Sequence, residues 1–263
     1  MSLEIVFPKN IGQRYYDIHY KFVLNLFKGS HVTFDNFFED GFNEIIIEIN
    51  GKICLINFSD FGRETTLGGD LFKMHFKDSD RGYPFTPVSF YDWDWYERIG
   101  KFLKYKAEGF ISSRQRAYAG AKERRDYVQR LLANYCGPLD YIPLFHMVDQ
   151  KRYFNEVEDI LVAVCVPGAN NNMLDRGQLQ YMGLGACTIS PLLPEILPFN
   201  KQLIPMEHYI CCQDDYADLE DWINYCKDHQ SECIEIGMNA KKLFQETCTP
   251  NAVEKWVKEC LQL

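Results

Sequence analysis

Short, nearly continuous apolar runs alternate along this chain with longer segments whose apolar residues recur at helical spacing. Residues 3–7 read as a buried strand ended by Pro8, and residues 17–27 as a helix whose Ile18, Phe22 and Phe27 supply a core face. Residues 44–50 and 52–57 are β-rich runs joined at Asn50-Gly51, a pair that tolerates the left-handed backbone of a two-residue hairpin turn. Between residues 60 and 87 glycine and proline break the pattern into loops around the short run 71–77. Residues 109–113 predict a strand, and residues 117–134 a helix with Val128, Leu131 and Leu132 as its apolar stripe.

The second half is more regular. Residues 149–157 are helix-compatible, and 160–166 form a continuous β-rich run of the kind buried on both faces in a parallel sheet. Pro167-Gly168 then opens a polar loop, residues 175–182 read as a short helix closed by Gly183 and Gly185, and residues 186–190 as the next strand. That succession is a βαβ unit. Helices are expected over 219–226, 232–246 and 251–261. The predicted class is α/β with two lobes, residues 1–140 and 141–263, divided near Gly137-Pro138 and Pro143.

Composition changes this picture little, since 46% hydrophobic and 15% aromatic residues are ample for a packed core. Charge is more informative. A formal net charge of -9 argues against nucleic acid as a bulk partner. Locally the sign reverses: Arg114, Arg116, Lys122, Arg124, Arg125 and Arg130 face only Glu123 and Asp126 over that stretch. A solvated helix face explains those charges, and so does a phosphate site directly after a strand, where α/β folds bind ligands. The 10 cysteines contain no CxxC pair and read as reduced thiols. With no basic-then-apolar leader and no run of 18 apolar residues, the expectation is a cytoplasmic protein without integral membrane contact. The chain has no GxxxxGK[ST] and no GxGxxG, which removes a phosphate-loop NTPase and weakens a dehydrogenase.

Two further stretches carry chemistry. Residues 72–77, Phe-Lys-Met-His-Phe-Lys, place His75 between aromatic and basic neighbours, with Asp60 and Asp78 as carboxylates nearby in sequence. A free imidazole titrates near 6.5, which suits a general base, while the flanking Phe72 and Phe76 suit a buried structural histidine equally. The aromatic patch at residues 90–96 reads as a hydrophobic joint or as a platform for a sugar ring.

Residues 166–191, Val-Pro-Gly-Ala-Asn-Asn-Asn-Met-Leu-Asp-Arg-Gly-Gln-Leu-Gln-Tyr-Met-Gly-Leu-Gly-Ala-Cys-Thr-Ile-Ser-Pro, resemble the donor-binding part of GT-B glycosyltransferases, in particular exostosin-like and related group 1 families. In those families a strand leads into a Pro-Gly loop, an Arg begins a short helix, and a small-residue turn precedes the next strand. Residues 193–198 and the acidic stretch 214–219 continue the likeness, which spans roughly residues 109–261. Two departures stand out: relatives with an acid on the short helix bond the donor ribose with it, where this chain has Gln178 and Gln180, and the N-terminal lobe is abbreviated.

The resemblance implies a GT-B-like fold of two Rossmann-like lobes, the first on the acceptor side and the second binding the nucleotide sugar, with the basic segment 109–134 lining the donor cleft. It implies transfer of a sugar from a nucleotide-sugar co-substrate, UDP-linked by analogy, to a hydroxyl of a glycan or glycosylated acceptor, without a cofactor. Such transfer leaves negative charge on the departing diphosphate, which the planar fork of Arg and a helix N-terminus are suited to meet. On that basis Arg114, Arg116, Lys122, Arg125, Gly168, Asn171, Asn172, Asp175, Arg176 and Gln178 are the donor-binding candidates, and His75, Asp78 and Arg176 the catalytic ones. Asp78-Ser79-Asp80 resembles the DxD of metal-dependent GT-A enzymes, but it lies far from the donor signature, and a metal-independent enzyme is expected. The alternatives are a nucleotide-sugar hydrolase or epimerase using the same cleft, and a nucleotide- or glycan-binding module without turnover.

Overall fold

The computed structural model describes residues 3–9, 17–35, 44–58, 69–86, 110–113, 115, 119–134, 141–142, 160–168 and 172–263. The predicted helix at 149–157 and the aromatic patch at 90–96 lie outside them. In chain order the elements are β1 (Glu4–Pro8), α1 (Asp17–Leu26), β2 (His31–Asp35), β3 (Glu44–Ile49), β4 (Lys52–Asn57), β5 (Asp70–Lys73), β6 (Tyr83–Pro84) and β7 (Phe110–Ser112). There follow α2 (Lys122–Asn134), β8 (Tyr141–Ile142), β9 (Ile160–Val164), α3 (Arg176–Leu184), β10 (Cys187–Ser190), β11 (Ile196–Leu197), β12 (Lys201–Gln202), β13 (Ile210–Cys211), α4 (Leu219–Asp228), α5 (Gln230–Thr247) and α6 (Pro250–Leu261). The class is mixed α/β with mostly parallel strand pairing.

The chain divides into two compact units. Met1–Tyr91, Glu195–Gln202 and Glu246–Leu263 form the first, Asp92–Pro194 and Leu203–Gln245 the second. Residues 92–140 thus fall in the second unit, and the last helix, α6, in the first.

In the first unit a six-stranded sheet runs in the order β2-β1-β3-β4-β5-β6. Only β3 opposes its neighbours, so β4, β5 and β6 share one carboxyl edge. The hairpin between β3 and β4 turns at Asn50 and Gly51, whose φ values of 49° and 81° are the left-handed pair that a two-residue turn matched to strand twist requires. No atom stands within 4 Å of a Cβ placed on Gly51. Gly51→Ala should therefore destabilise the unit through backbone strain alone, by about 1 kcal/mol in chemical denaturation. Ile5, Phe7, Ile47, Ile49, Leu55, Phe72 and Phe85 fill the core around this sheet. Helix α6 is capped by the Thr249 hydroxyl, which accepts from Ala252 N at 3.3 Å, and the Trp256 indole donates to Pro84 O at 2.8 Å.

The second unit holds five parallel strands in the order β13-β10-β9-β7-β8. In sequence terms the chain steps from β7 outward to β8, returns to the other side of β7 at β9, and continues outward through β10 to β13. The strand order therefore reverses between β7 and β9, which in open α/β sheets is where a crevice opens beyond the carboxyl ends of the strands. All five residues of β9 are buried, as a central parallel strand requires. Ile111, Val162, Val164, Cys187, Ile189 and Ile210 of the sheet pack with Val128 and Leu132 of α2 and with Leu219, Ile223, Cys226, Cys233 and Ile236 of α4 and α5 in one apolar cluster. Among the described residues no helix is long and apolar enough to cross a membrane.

Candidate functional site

Polar side chains converge beyond the carboxyl ends of β7 and β9. Gln115, just past β7, accepts from Val166 N through its amide oxygen and donates from Nε2 to Asp175 Oδ2 at 2.8 Å. Its backbone carbonyl accepts from Gln129 Nε2 of α2 at 2.8 Å. From the same helix Arg125 donates through Nε and Nη2 to Val166 O at 3.0 and 2.9 Å, and through Nη2 to Asp175 Oδ2 at 3.3 Å. Arg124 Nη2 donates to the carbonyls of Pro167 and Gly168, each at 3.2 Å. Tyr216 closes the back, its hydroxyl donating to Cys165 O at 3.1 Å. The loop after β9 is thereby held from both sides by groups on β7 and α2.

Asp175 links this network to α3. It is the N-cap, and its Oδ1 accepts from Gln178 N at 3.0 Å, satisfying one of the donors that the first helical turn leaves open. Burial raises the Asp175 carboxyl above its ordinary value, against the lowering pull of the Gln178 amide and of the Arg125 charge. Burial also lifts the Cys165 thiol well above its usual range and the Tyr216 hydroxyl far out of titration. Three buried polar atoms here have no hydrogen-bond partner among the described residues: Arg124 Nε, Asn172 Oδ1 and Gln178 Oε1. Burying such a group unpaired is unfavourable, so a cluster of them marks a place where a polar ligand or water completes the bonding.

The anticipated residues occupy different settings. Arg176 is the first residue of α3 and exposed, and Asn172 is half-buried in the loop that leads to it. Arg125 is 5% exposed and its fork is turned onto Val166 and Asp175. Lys122 projects into solvent and pairs with Asp126 at 2.7 Å, a bond that raises its pKa. Gly168 has no need of its missing side chain for space, because a Cβ there would meet nothing closer than Arg125 Nη2 at 3.9 Å. Gln178 is fully buried and faces β10, donating from Nε2 to Thr188 Oγ1 at 3.2 Å and Ser190 Oγ at 3.0 Å. Arg114, Arg116 and Asn171 lie outside the described residues.

His75 and Asp78 belong to the other unit. His75 follows β5 with its Nδ1 2.6 Å from Glu195 Oε1, and Asp78 is exposed in the next turn. Asp80 is committed to Lys73 Nζ at 2.6 Å and Lys77 N at 2.8 Å.

Gln115 and Glu195 are the members that sequence reasoning missed, and Arg124, visible in the basic stretch, was not among the donor-binding candidates. The first had a usable signal, its position just past a strand in the same stretch as the arginines. Glu195 had none, because its partner lies 120 residues away. No family model matches the chain, and comparison with curated proteins finds no match.

Proposed function

We propose that this chain is a glycosyltransferase of GT-B-like build that moves a sugar from a nucleotide-sugar donor, UDP-linked on the resemblance, to a hydroxyl of a glycan or glycosylated acceptor. The observation that carries the reading is the concentration of polar groups, three of them with unsatisfied buried atoms, at the strand-order reversal between β7 and β9. Arg124 and Arg176 are the cations offered to the diphosphate, Arg176 beside the positive end of α3. Asn172 Oδ1 and Gln178 Oε1 are acceptors suited to sugar or ribose hydroxyls. The described cysteines are all free, which supports a reducing compartment such as the cytoplasm.

Calorimetry against UDP-, GDP-, ADP- and CMP-sugars tests the assignment. One nucleotide sugar should bind selectively, and Arg176→Ala should weaken that binding by about tenfold, the loss of one charge-assisted contact to phosphate. Unchanged affinity in a folded variant removes Arg176 from the site, and silence across the panel sinks the donor reading.

A second reading, a nucleotide- or glycan-binding module without turnover, is favoured by the internal commitment of Arg125, Asp175 and Gln178. Binding with neither transfer nor hydrolysis of the bound donor selects it.

A further inference from the structure

The two edges of the six-stranded sheet in the first unit are finished differently. β6, at one end, is two residues long and carries Pro84, whose carbonyl is taken by the Trp256 indole at 2.8 Å. A very short strand, a proline and a covering side chain all keep a sheet from being extended by another chain. β2, at the other end, runs for five residues, His-Val-Thr-Phe-Asp, without proline or lysine, and among the described residues it pairs with β1 alone. His31, Thr33, Phe34 and Asp35 are exposed, Phe34 by 50%.

The ladder with β1 fixes which backbone groups of β2 face outward. His31 N donates to Leu3 O and Lys9 N donates to Asp35 O, both at 2.9 Å, so the peptide groups of residues 31, 33 and 35 turn onto β1. The Thr33 hydroxyl points the same way, donating to Ile5 O at 3.4 Å. Bonding groups alternate in direction along a strand, so the N–H and C=O of Val32 and Phe34 point away from β1.

We propose that this edge is a homodimer interface, on which a second copy of the chain lays its own β2 antiparallel about a two-fold axis at Thr33. Val32 then exchanges N–H and C=O with the second copy's Phe34, and Phe34 with its Val32, which uses the outward groups of both strands. The side chains agree with that register. Val32 stands opposite an aromatic ring, the His31 imidazole opposite the carboxylate of the second copy's Asp35, and Thr33 opposite itself, each a favourable kind of cross-strand pair. Parallel in-register pairing would set His31 against His31 and Asp35 against Asp35. Slipping the antiparallel pair by one residue would set outward groups against inward ones. The interface is isologous, so it closes at two copies and joins the two six-stranded sheets into one. The inference stands apart from the transferase reading, because every residue it uses lies in the first unit and none is a donor-site candidate.

Sedimentation equilibrium on the full-length chain under reducing conditions should show a monomer–dimer equilibrium with a dissociation constant of about 10 µM, as suits so narrow a contact; a monomer up to about 200 µM overturns the proposal. Val32→Pro deletes one outward N–H and leaves those facing β1, so it should be monomeric over the same range with a native circular dichroism spectrum. Phe34→Lys keeps the whole backbone and should weaken the dimer by at least about tenfold, as a lysine on an edge strand does. Either variant, folded and dimerising like the natural chain, overturns the edge. Thr33→Cys reads the register: opposed Cα atoms in a non-hydrogen-bonded antiparallel pair stand about 4.5 Å apart, within disulfide reach, so mild oxidation should join two copies through position 33, identified by peptide mass mapping. A dimeric variant that forms no such link assigns the dimer to another surface and defeats the proposal.

Discussion

Gly237→Ala should unfold the second unit under conditions in which the natural chain is stable. Gly237 lies in the middle of α5, where glycine weakens a helix by nearly 1 kcal/mol relative to alanine, so on propensity alone the substitution ought to stabilise. Geometry reverses the sign. A Cβ at this position falls 2.2 Å from Gly185 O and 3.0 Å from both Ala186 C and Cys187 N. These are backbone atoms, and the chain there has little freedom to retreat. Gly185 is the left-handed C-cap of α3 at φ 87°, its N–H bonded to Met182 O and the next amide to Tyr181 O, and Cys187 begins β10 in the middle of the parallel sheet. Moving α5 instead would strip Cys233 and Ile236 from the apolar cluster. The expected loss is about 3 kcal/mol, the upper end of overpacking, or a melting temperature lower by roughly 10 °C. Gly29→Ala is the control, because nothing lies within 4 Å of a Cβ there. Equal melting temperatures for the two variants would show that α5 does not approach the turn so closely.

That contact illustrates which features were legible in the linear pattern. Local signals were. Asn50-Gly51 named its hairpin because the φ values it tolerates are a property of the two residues themselves, and the buried run at 160–166 named β9 because a strand covered on both faces is apolar throughout. The glycine end of α3 was visible in Gly185, whereas Gly183, read as a terminator, lies inside the helix, and Asp175, read as its first residue, is its N-cap. Short exposed pieces were not. β2, His-Val-Thr-Phe-Asp, alternates polar and apolar residues over only five positions, most of them exposed, and its ladder with β1 makes it a strand. The return of residues 195–202 and 246–263 to the first unit was hidden for a different reason, since membership of a core is decided by partners distant in sequence.

The same limit applies to the site. Arginines after a strand were visible as charge, but their roles depend on what stands opposite. Arg124 and Arg125 are neighbours with similar side chains, and one is spent on Val166 O and Asp175 while the other keeps a buried Nε without a partner. Gln178 looked like a substitute for a ribose-binding acid. Its Nε2 supplies the hydrogen bonds that Thr188 and Ser190, both buried in β10, accept from α3, which leaves only Oε1 as the acceptor.

Asp175→Ala should be the most damaging change within the site itself. It removes the N-cap of α3, the acceptor for Gln115 Nε2 and a carboxylate partner of the Arg125 guanidinium, which is 5% exposed. Losing a cap costs about 1 kcal/mol, and removing one partner of a buried ion pair adds to it, so about 3 kcal/mol is expected by chemical denaturation. Asp175→Asn separates the contributions, because the amide oxygen still caps the helix while the charge and the second acceptor oxygen, which meets Gln115 Nε2 and Arg125 Nη2, are lost. Since burial outweighs the attraction of the partners and raises the Asp175 carboxyl above 3.8, the neutral amide should cost distinctly less than alanine, about 1 kcal/mol. The pH dependence follows with a definite sign. Between 3.8 and the higher value in the folded chain, the native state binds more proton than the unfolded one, so this group's contribution to stability falls as pH rises through that window. Asp175→Asn cannot titrate, and the difference in unfolding free energy between the natural chain and this variant should grow in favour of the natural chain as pH is lowered from neutrality toward 4. A difference that shrinks on acidification would mean that the Arg125 charge dominates the carboxylate, and that the loop after β9 is held by an ion pair rather than by a cap.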